Sequence, residues 1–314
     1  MGTSTGHITP LMECIKKMDN IKMAAVCTKS YCGEPERNLE NILSWVKKAK
    51  EEKADFVLFP EVSITGYDWT DVNFWQSERT DGPSVSSLVE SAKENDIYIS
   101  AGLLEKEVTG VVYNTHVIVG PEGFVGKYRK SHMPAPEYPL TALGSKLPVF
   151  TVNIGEEPAT VGISICYDNC FPEASRIMSL KGMEVLLAPF AFGMGKWESD
   201  DDIENQVIAQ DKWKKQVTKY MAARAHDNNV YAVVCVCSGH VKGLQGKEEY
   251  YFPGVCMVFD PAGDLIAETP SEGVKERMLV TDLLFFKLED QKKGSYFPLK
   301  YRRPELYKDL SKLP

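Results

Sequence analysis

Three residues spread along a chain of 314, Glu61, Lys130 and Cys166, carry the groups that attack on a carbonyl carbon requires: an acid–base carboxylate, a cation and a thiol. Cys166 follows the apolar run Val161-Gly162-Ile163-Ser164-Ile165 and precedes Tyr167-Asp168, with Phe171-Pro172-Glu173 opening the next segment. A cysteine at a strand-to-helix turn is presented at the strand's carboxyl end, where backbone N–H groups and a helix N-terminus favour negative charge. The plain alternative is an inert core cysteine. Glu61 closes the run Phe56-Val57-Leu58-Phe59-Pro60. A carboxylate at the mouth of a strand buried on both faces is short of water, and desolvation moves its pKa toward the range of a general base; the alternative is a surface or capping acid. Lys130 ends Gly126-Lys127-Tyr128-Arg129-Lys130, just before Ser131-His132. An ammonium there can hold a developing oxyanion in a dry pocket, whereas a solvated edge lysine only guards a strand against aggregation. Acting together requires the three to converge at the ends of neighbouring strands.

Alternating strands and helices would supply those ends. Ile21 to Cys27 reads as a strand, Leu39, Ile42, Leu43, Val46 and Ala49 recur at helical spacing after Pro35, and Phe56 to Phe59 reads as a second strand. Strand, helix, strand in that order suggests a crossover unit. Leu88, Val89 and Ala92 mark a helix; Ile97 to Leu103, Val111 to Val119 and Phe124 to Lys130 read as strands, the last two joined by the turn Pro121-Glu122-Gly123. Further strands are expected over Ala159 to Ile165, Val185 to Ala188, Tyr231 to Cys237, Val255 to Phe259, Leu265 to Ala267 and Met278 to Leu284, with helices over Pro172 to Leu180 and Asn205 to Asn228. No internal repeat or linker-like tract interrupts the series. One α/β domain, two mixed sheets covered by helices, is the simplest account: 1–20 an N-terminal extension, 21–290 the domain, and 291–314 a tail that packs on a partner subunit.

Composition narrows the function. Hydrophobic residues make up 43% and charged residues 25%, an ordinary globular mix with enough apolar surface for a core. The net charge of −8 and pI near 5.3 argue against nucleic-acid binding. No run of 18 apolar residues spans a membrane, and the polar start, with Lys16, Lys17 and Asp19, is not a signal peptide. Gly2 invites myristoylation, but position 6 is Gly rather than Ser or Thr. Eight cysteines without a Cys-x-x-Cys pair make a zinc site improbable and, taken as reduced thiols, point to the cytoplasm.

The series Phe59-Pro60-Glu61 with Gly66-Tyr67, then Lys127-Tyr128-Arg129-Lys130-Ser131-His132, then Gly162 to Asp168 with Phe171-Pro172-Glu173, resembles the nitrilase superfamily of carbon–nitrogen hydrolases. Ala223-Arg224-Ala225 before Asn228, Gly254 to Gly263 and Arg303-Pro304-Glu305-Leu306-Tyr307 extend the resemblance over about residues 21–307. It implies an αββα sandwich of two mixed sheets that pairs into a homodimer. It also implies a small amide or N-carbamoyl substrate, no cofactor and no metal. Carried onto matching positions, Glu61 becomes the base, Lys130 the oxyanion stabiliser, Cys166 the nucleophile and Glu137 a second glutamate. The Tyr167 N–H would join Lys130 on the oxyanion, and Tyr67, Tyr167, Phe190 and Phe192 would wall the pocket. Tyr167-Asp168 is similar to the amidase and carbamoylase pair, whereas nitrilases typically show Trp-Glu. Asn169-Cys170, Cys256 and His226-Asp227 depart from the family pattern, and the first of these bears on substrate identity.

Other readings stay open at this point. Cys166 paired with His132 or His226 would be a papain-like thiol hydrolase. The fold without activity would be a scaffold protein. Cys235, Cys237 and His240 could hold a metal, since alternate strand residues share a face.

Overall fold

The computed structural model describes residues 20–155, 157–246, 248–295 and 297–312; most of the N-terminal extension, with Gly2 and Cys14, lies outside them. Strand β1 (Ile21–Cys27) shows how the layers arise. Met23, Ala25 and Cys27 point into a core shared by two sheets, while Ala24 and Val26 point to a second core made with helices. This is the period-two alternation of a strand buried on both faces.

The first sheet has the order β14 (Arg277–Leu283), β1, β2 (Phe56–Leu58), β3 (Tyr98–Lys106), β4 (Val112–Gly120), β5 (Gly123–Arg129). Strands β1, β2 and β3 run parallel, and antiparallel strands flank them. The second sheet repeats the plan: β13 (Leu265–Glu268), β12 (Cys256–Phe259), β9 (Tyr231–Val236), β8 (Val185–Phe190), β7 (Glu157–Ile163), β6 (Val149–Ile154), with β7, β8 and β9 parallel. Strands β10 (Ser238–Lys242) and β11 (Glu249–Pro253) form a separate hairpin.

Helices α1 (Pro35–Glu51) and α2 (Pro83–Asn95) cover the first sheet through Ile42, Val46, Ala49, Val85, Leu88 and Ala92. On the second sheet lie α3 (Pro172–Leu180) and α4 (Ile203–Asn228), contributing Met178, Trp213, Val217, Met221 and Ala225. The architecture is the αββα sandwich that the family resemblance implied. Helix α5 (Phe286–Lys293) runs across the 290/291 boundary expected for the tail. Beyond it, the short turn Pro298–Tyr301 rests on α4 of the same chain.

Sequence reading missed β6, the β10–β11 hairpin and α5. Strand β6 is an edge strand whose Thr151 and Asn153 face water, so it offers no apolar run. The hairpin is rich in Tyr and Glu between glycines, and α5 buries only Leu288 among its eight residues.

Candidate active site

The carboxyl ends of β2, β5 and β7 carry Glu61, Lys130 and Cys166 to one end of the sandwich. Those strands are not neighbours, contrary to expectation: β3 and β4 lie between β2 and β5 in the first sheet, and β7 lies in the second. Alternation explains why one lysine of the basic run turns inward. Lys127 and Arg129 face the other way and bind Glu105, whereas Lys130 is wholly buried.

Lys130 Nζ donates to Glu61 Oε1 and to Glu137 Oε1, each at 2.6 Å. Asn114 Nδ2 donates to Glu61 Oε1 at 2.8 Å and to Glu137 Oε2 at 3.2 Å, so one amide and one ammonium bridge both carboxylates. Glu61 Oε2 is buried and accepts no hydrogen bond from the described residues. The backbone around Glu61 is strained, with Val62 at φ +44°, a rare conformation for a β-branched residue. Strand β3 fits beneath it only because residue 102 is glycine: a Cβ there would sit 2.4 Å from the Val62 nitrogen. Below, His116 Nε2 lies 3.1 Å from the Phe59 carbonyl and Nδ1 lies 2.8 Å from Ser100 Oγ. A carbonyl only accepts, so Nε2 carries the proton and Nδ1 accepts from Ser100. Burial pushes His116 down to about 4.

Cys166 opens a short 3-10 turn, Cys166–Cys170, with φ +48°, the kind of strain that gathers at functional turns. Asn169 Nδ2 secures the turn by donating to the Ser164 and Cys166 carbonyls at 2.8 and 3.1 Å. Burial and then the Glu61 carboxylate push the Cys166 thiol well up, while Lys130 and the Ala191 N–H pull it down. Burial opposes the charge on Lys130, yet Glu61, Cys166 and Glu137 together hold its pKa well above the ordinary value. Burial, reinforced by Glu61, pushes Glu137 up to about 7 against the pull of Lys130.

A cleft of about 500 Å³ opens beside this cluster, lined by Tyr67, Trp69, Pro136, Ala191, Phe192, Lys196, Glu248, Glu249 and the aromatic face of β11. Tyr67 packs edge-on against Trp69, Tyr250 and Phe252. Burial, followed by Glu61 and Cys166, raises its hydroxyl pKa. Gly193 lets the hairpin close on the cleft, because a Cβ there would lie 1.7 Å from the Tyr251 carbonyl oxygen.

Of the expected pocket residues, Tyr67 and Phe192 line the cleft. Phe190 does not: it is fully buried between Phe192, Trp213 and Tyr220 as part of the core. Tyr167 is 40% exposed, and its ring packs edge-on to Phe171. His132 turns Nδ1 to Asp168 at 2.8 Å and stacks on Phe171; His226 bonds Asp227 at an exposed position of α4. Neither imidazole is placed as a partner for sulfur. Cys235 belongs to the inter-sheet core and Cys237 to a separate cluster under the cleft, while His240 stacks on Tyr251. No group of three or more potential ligands could hold a metal ion among the described residues. Among the described residues no helix is long and apolar enough to cross a membrane.

Sequence reasoning missed Asn114, Asp168 and the aromatic lining from β11. Asn114 had a signal, since Asn114-Thr115-His116 is a polar run inside an otherwise apolar strand and all three residues are buried.

The sequence signature of the family described as Carbon-nitrogen hydrolase matches residues 22–283. The chain is 30% identical to a nitrilase of Pyrococcus abyssi over 266 residues, covering 82% of this chain and 89% of that one. It is 30% identical to the mouse omega-amidase NIT2 over 287 residues (88% and 93%) and 28% identical to the tomato N-carbamoylputrescine amidase over 279 (84% and 86%). Among solved structures, yeast Nit3, of branch 10 of the nitrilase superfamily, shares the fold with a TM-score of 0.72 at 22% identity, covering 90% of this chain and 97% of that one.

Proposed function

Since this chain belongs to the carbon–nitrogen hydrolase family, we propose that it hydrolyses the amide or N-carbamoyl group of a small molecule through a thioester on Cys166. One observation carries the proposal: within the buried cluster, one carboxylate oxygen and one ammonium hydrogen are left uncommitted. Among the described residues Glu61 Oε2 has no partner, and Lys130 has three N–H donors, of which Glu61 and Glu137 take two.

Glu61 accepts the thiol proton, and the sulfur forms its bond to the carbonyl carbon as the C=O pair moves onto oxygen. The remaining Lys130 N–H and the Tyr167 backbone N–H hold that oxyanion. As the oxyanion collapses, the C–N bond breaks, and Glu61 returns the proton to the leaving nitrogen as ammonia or an amine. Glu61 then takes a proton from water, which attacks the thioester carbon; the sulfur leaves and is reprotonated. Glu137 and Asn114 hold Lys130 and Glu61 in place. Neighbouring negative groups favour the charged lysine, whereas burial and then Glu61 favour the neutral thiol, so Glu61 takes the proton as the sulfur attacks. Relatives named as an omega-amidase, an N-carbamoylputrescine amidase and a citrullinase support the amide and carbamoyl classes.

Release of ammonia or amine should be measured from short aliphatic amides, ω-amides, N-carbamoyl amines and nitriles. Turnover of an amide or carbamoyl compound, abolished in Cys166→Ala, is the expected result. Turnover confined to nitriles, or undiminished in Cys166→Ala, contradicts the proposal.

A further inference from the structure

Asp168 lies two residues beyond Cys166 and takes no part in the chemistry above. Its carboxylate is fully buried and accepts five hydrogen bonds. Oδ2 receives Tyr128 Oη at 2.8 Å and the Ile165 N–H at 3.0 Å. Oδ1 receives the Ser131 N–H at 3.2 Å, the His132 N–H at 2.8 Å and His132 Nδ1 at 2.8 Å. A carboxylate has about four lone-pair sites, so this one is saturated. Three of the five donors are backbone N–H groups, which cannot become acceptors, so the carboxyl oxygens are held by main chain on both sides. Among the described residues its salt-bridge partner is His132, with no lysine or arginine on it.

The two ends tied by these bonds have no strand ladder between them. Ser131 and His132 directly follow Lys130 at the end of β5, in the first sheet; Ile165 directly precedes Cys166 at the end of β7, in the second. On its own side Lys130 is anchored by its N–H on the Asn114 carbonyl and its carbonyl under the Gly144 N–H. We propose that Asp168 is a positioning residue that fixes the Lys130 ammonium relative to the Cys166 sulfur by fastening the segment after Lys130 to the turn bearing Cys166. The importance of that geometry rests on the function proposed above. Loosening the tie weakens the pull of the ammonium on the sulfur and displaces the oxyanion donor, so the chemical step suffers more than substrate binding.

The test uses the full chain with Asp168→Asn, whose amide NH₂ meets the donors that the carboxylate now accepts. Two readouts are followed: the pH dependence of iodoacetamide alkylation at Cys166, by mass spectrometry of its peptide, and kcat and KM on an amide the wild type hydrolyses. The alkylation midpoint should rise by about one pH unit, equivalent to about 1.4 kcal/mol less stabilisation of the thiolate. Oxyanion-donor precedent sets the expected kcat loss at about 100-fold or more, with KM within about threefold. An unchanged midpoint with kcat within about threefold overturns the assignment. If Asp168→Asn does not fold, Tyr128→Phe removes one donor at nearly constant volume: a smaller midpoint rise and a kcat loss of up to about tenfold are expected, and no change in either overturns it. Alkylation needs no substrate, so a wild-type protein that hydrolyses no amide or carbamoyl compound contradicts the proposed function and leaves this test standing.

Discussion

Lys130 and Glu61, 69 positions apart in sequence, meet in a fully buried ion pair with Nζ 2.6 Å from Oε1. Glu137 takes a second hydrogen of the same ammonium, so one cation serves two carboxylates. Lys130→Met therefore acts on both stability and rate. Removing one partner of a buried pair typically costs about 3–5 kcal/mol, and losing a donor to the oxyanion costs about 10²–10³ in kcat. Denaturant unfolding and single-substrate kinetics separate the two. A folded Lys130→Met variant with kcat within a few-fold of wild type would remove the lysine from the chemistry.

Asn114 makes a milder prediction, because it adds no charge. Asn114→Ala withdraws a hydrogen bond from each carboxylate, and bonds to charged groups are worth about 1.5–3 kcal/mol. We expect kcat to fall about tenfold with KM nearly constant. A raised KM with unchanged kcat would place the amide in substrate binding instead.

Glu137 ties the site to pH. Its carboxyl is pushed up from 4.5 to about 7 in the folded chain by burial and by Glu61. Between those values the native state holds a proton that the unfolded chain has released, so stability falls as pH rises through that window. Glu137→Gln removes this contribution. The thermal midpoint of the variant should decline less than that of the wild type between pH 4.5 and 7, and parallel declines would show that Glu137 ionises normally.

His116 works in the opposite direction. The imidazole is held neutral down to about 4 by burial, against an ordinary 6.5. Here the unfolded chain binds the extra proton, so stability is complete above pH 6.5 and is lost as pH falls toward 4. His116→Gln should flatten that acid limb in thermal unfolding followed across the same range.

Glu61, Lys130 and Cys166 stood out in the sequence because each lies at the end of an expected strand and the three motifs in series resemble one family. The resemblance implied the sandwich, while buried runs such as Phe56 to Phe59 marked individual strands. What could not be read was who meets whom. The bridge from Asn114 to Glu61 spans 53 positions and that from Asp168 to His132 spans 36, and no local periodicity encodes such partners. Phe190 and Phe192 stand two positions apart with the same expected role, yet one fills the core and the other lines the cleft, because burial depth depends on α4 packing over the strand end. The β11 lining escaped for a similar reason: Tyr250 and Phe252 reach the cleft only through the fold of the hairpin over Gly193.

The central claim is a covalent bond to one sulfur among eight. The direct measurement is intact-protein and peptide mass spectrometry of the enzyme quenched during turnover of its amide or carbamoyl substrate. The account predicts an added acyl mass confined to the Cys166 peptide, absent without substrate and absent in Cys166→Ala. Turnover with no acyl mass at Cys166 in protein quenched across the pre-steady-state phase, or with the adduct on another cysteine, would contradict it.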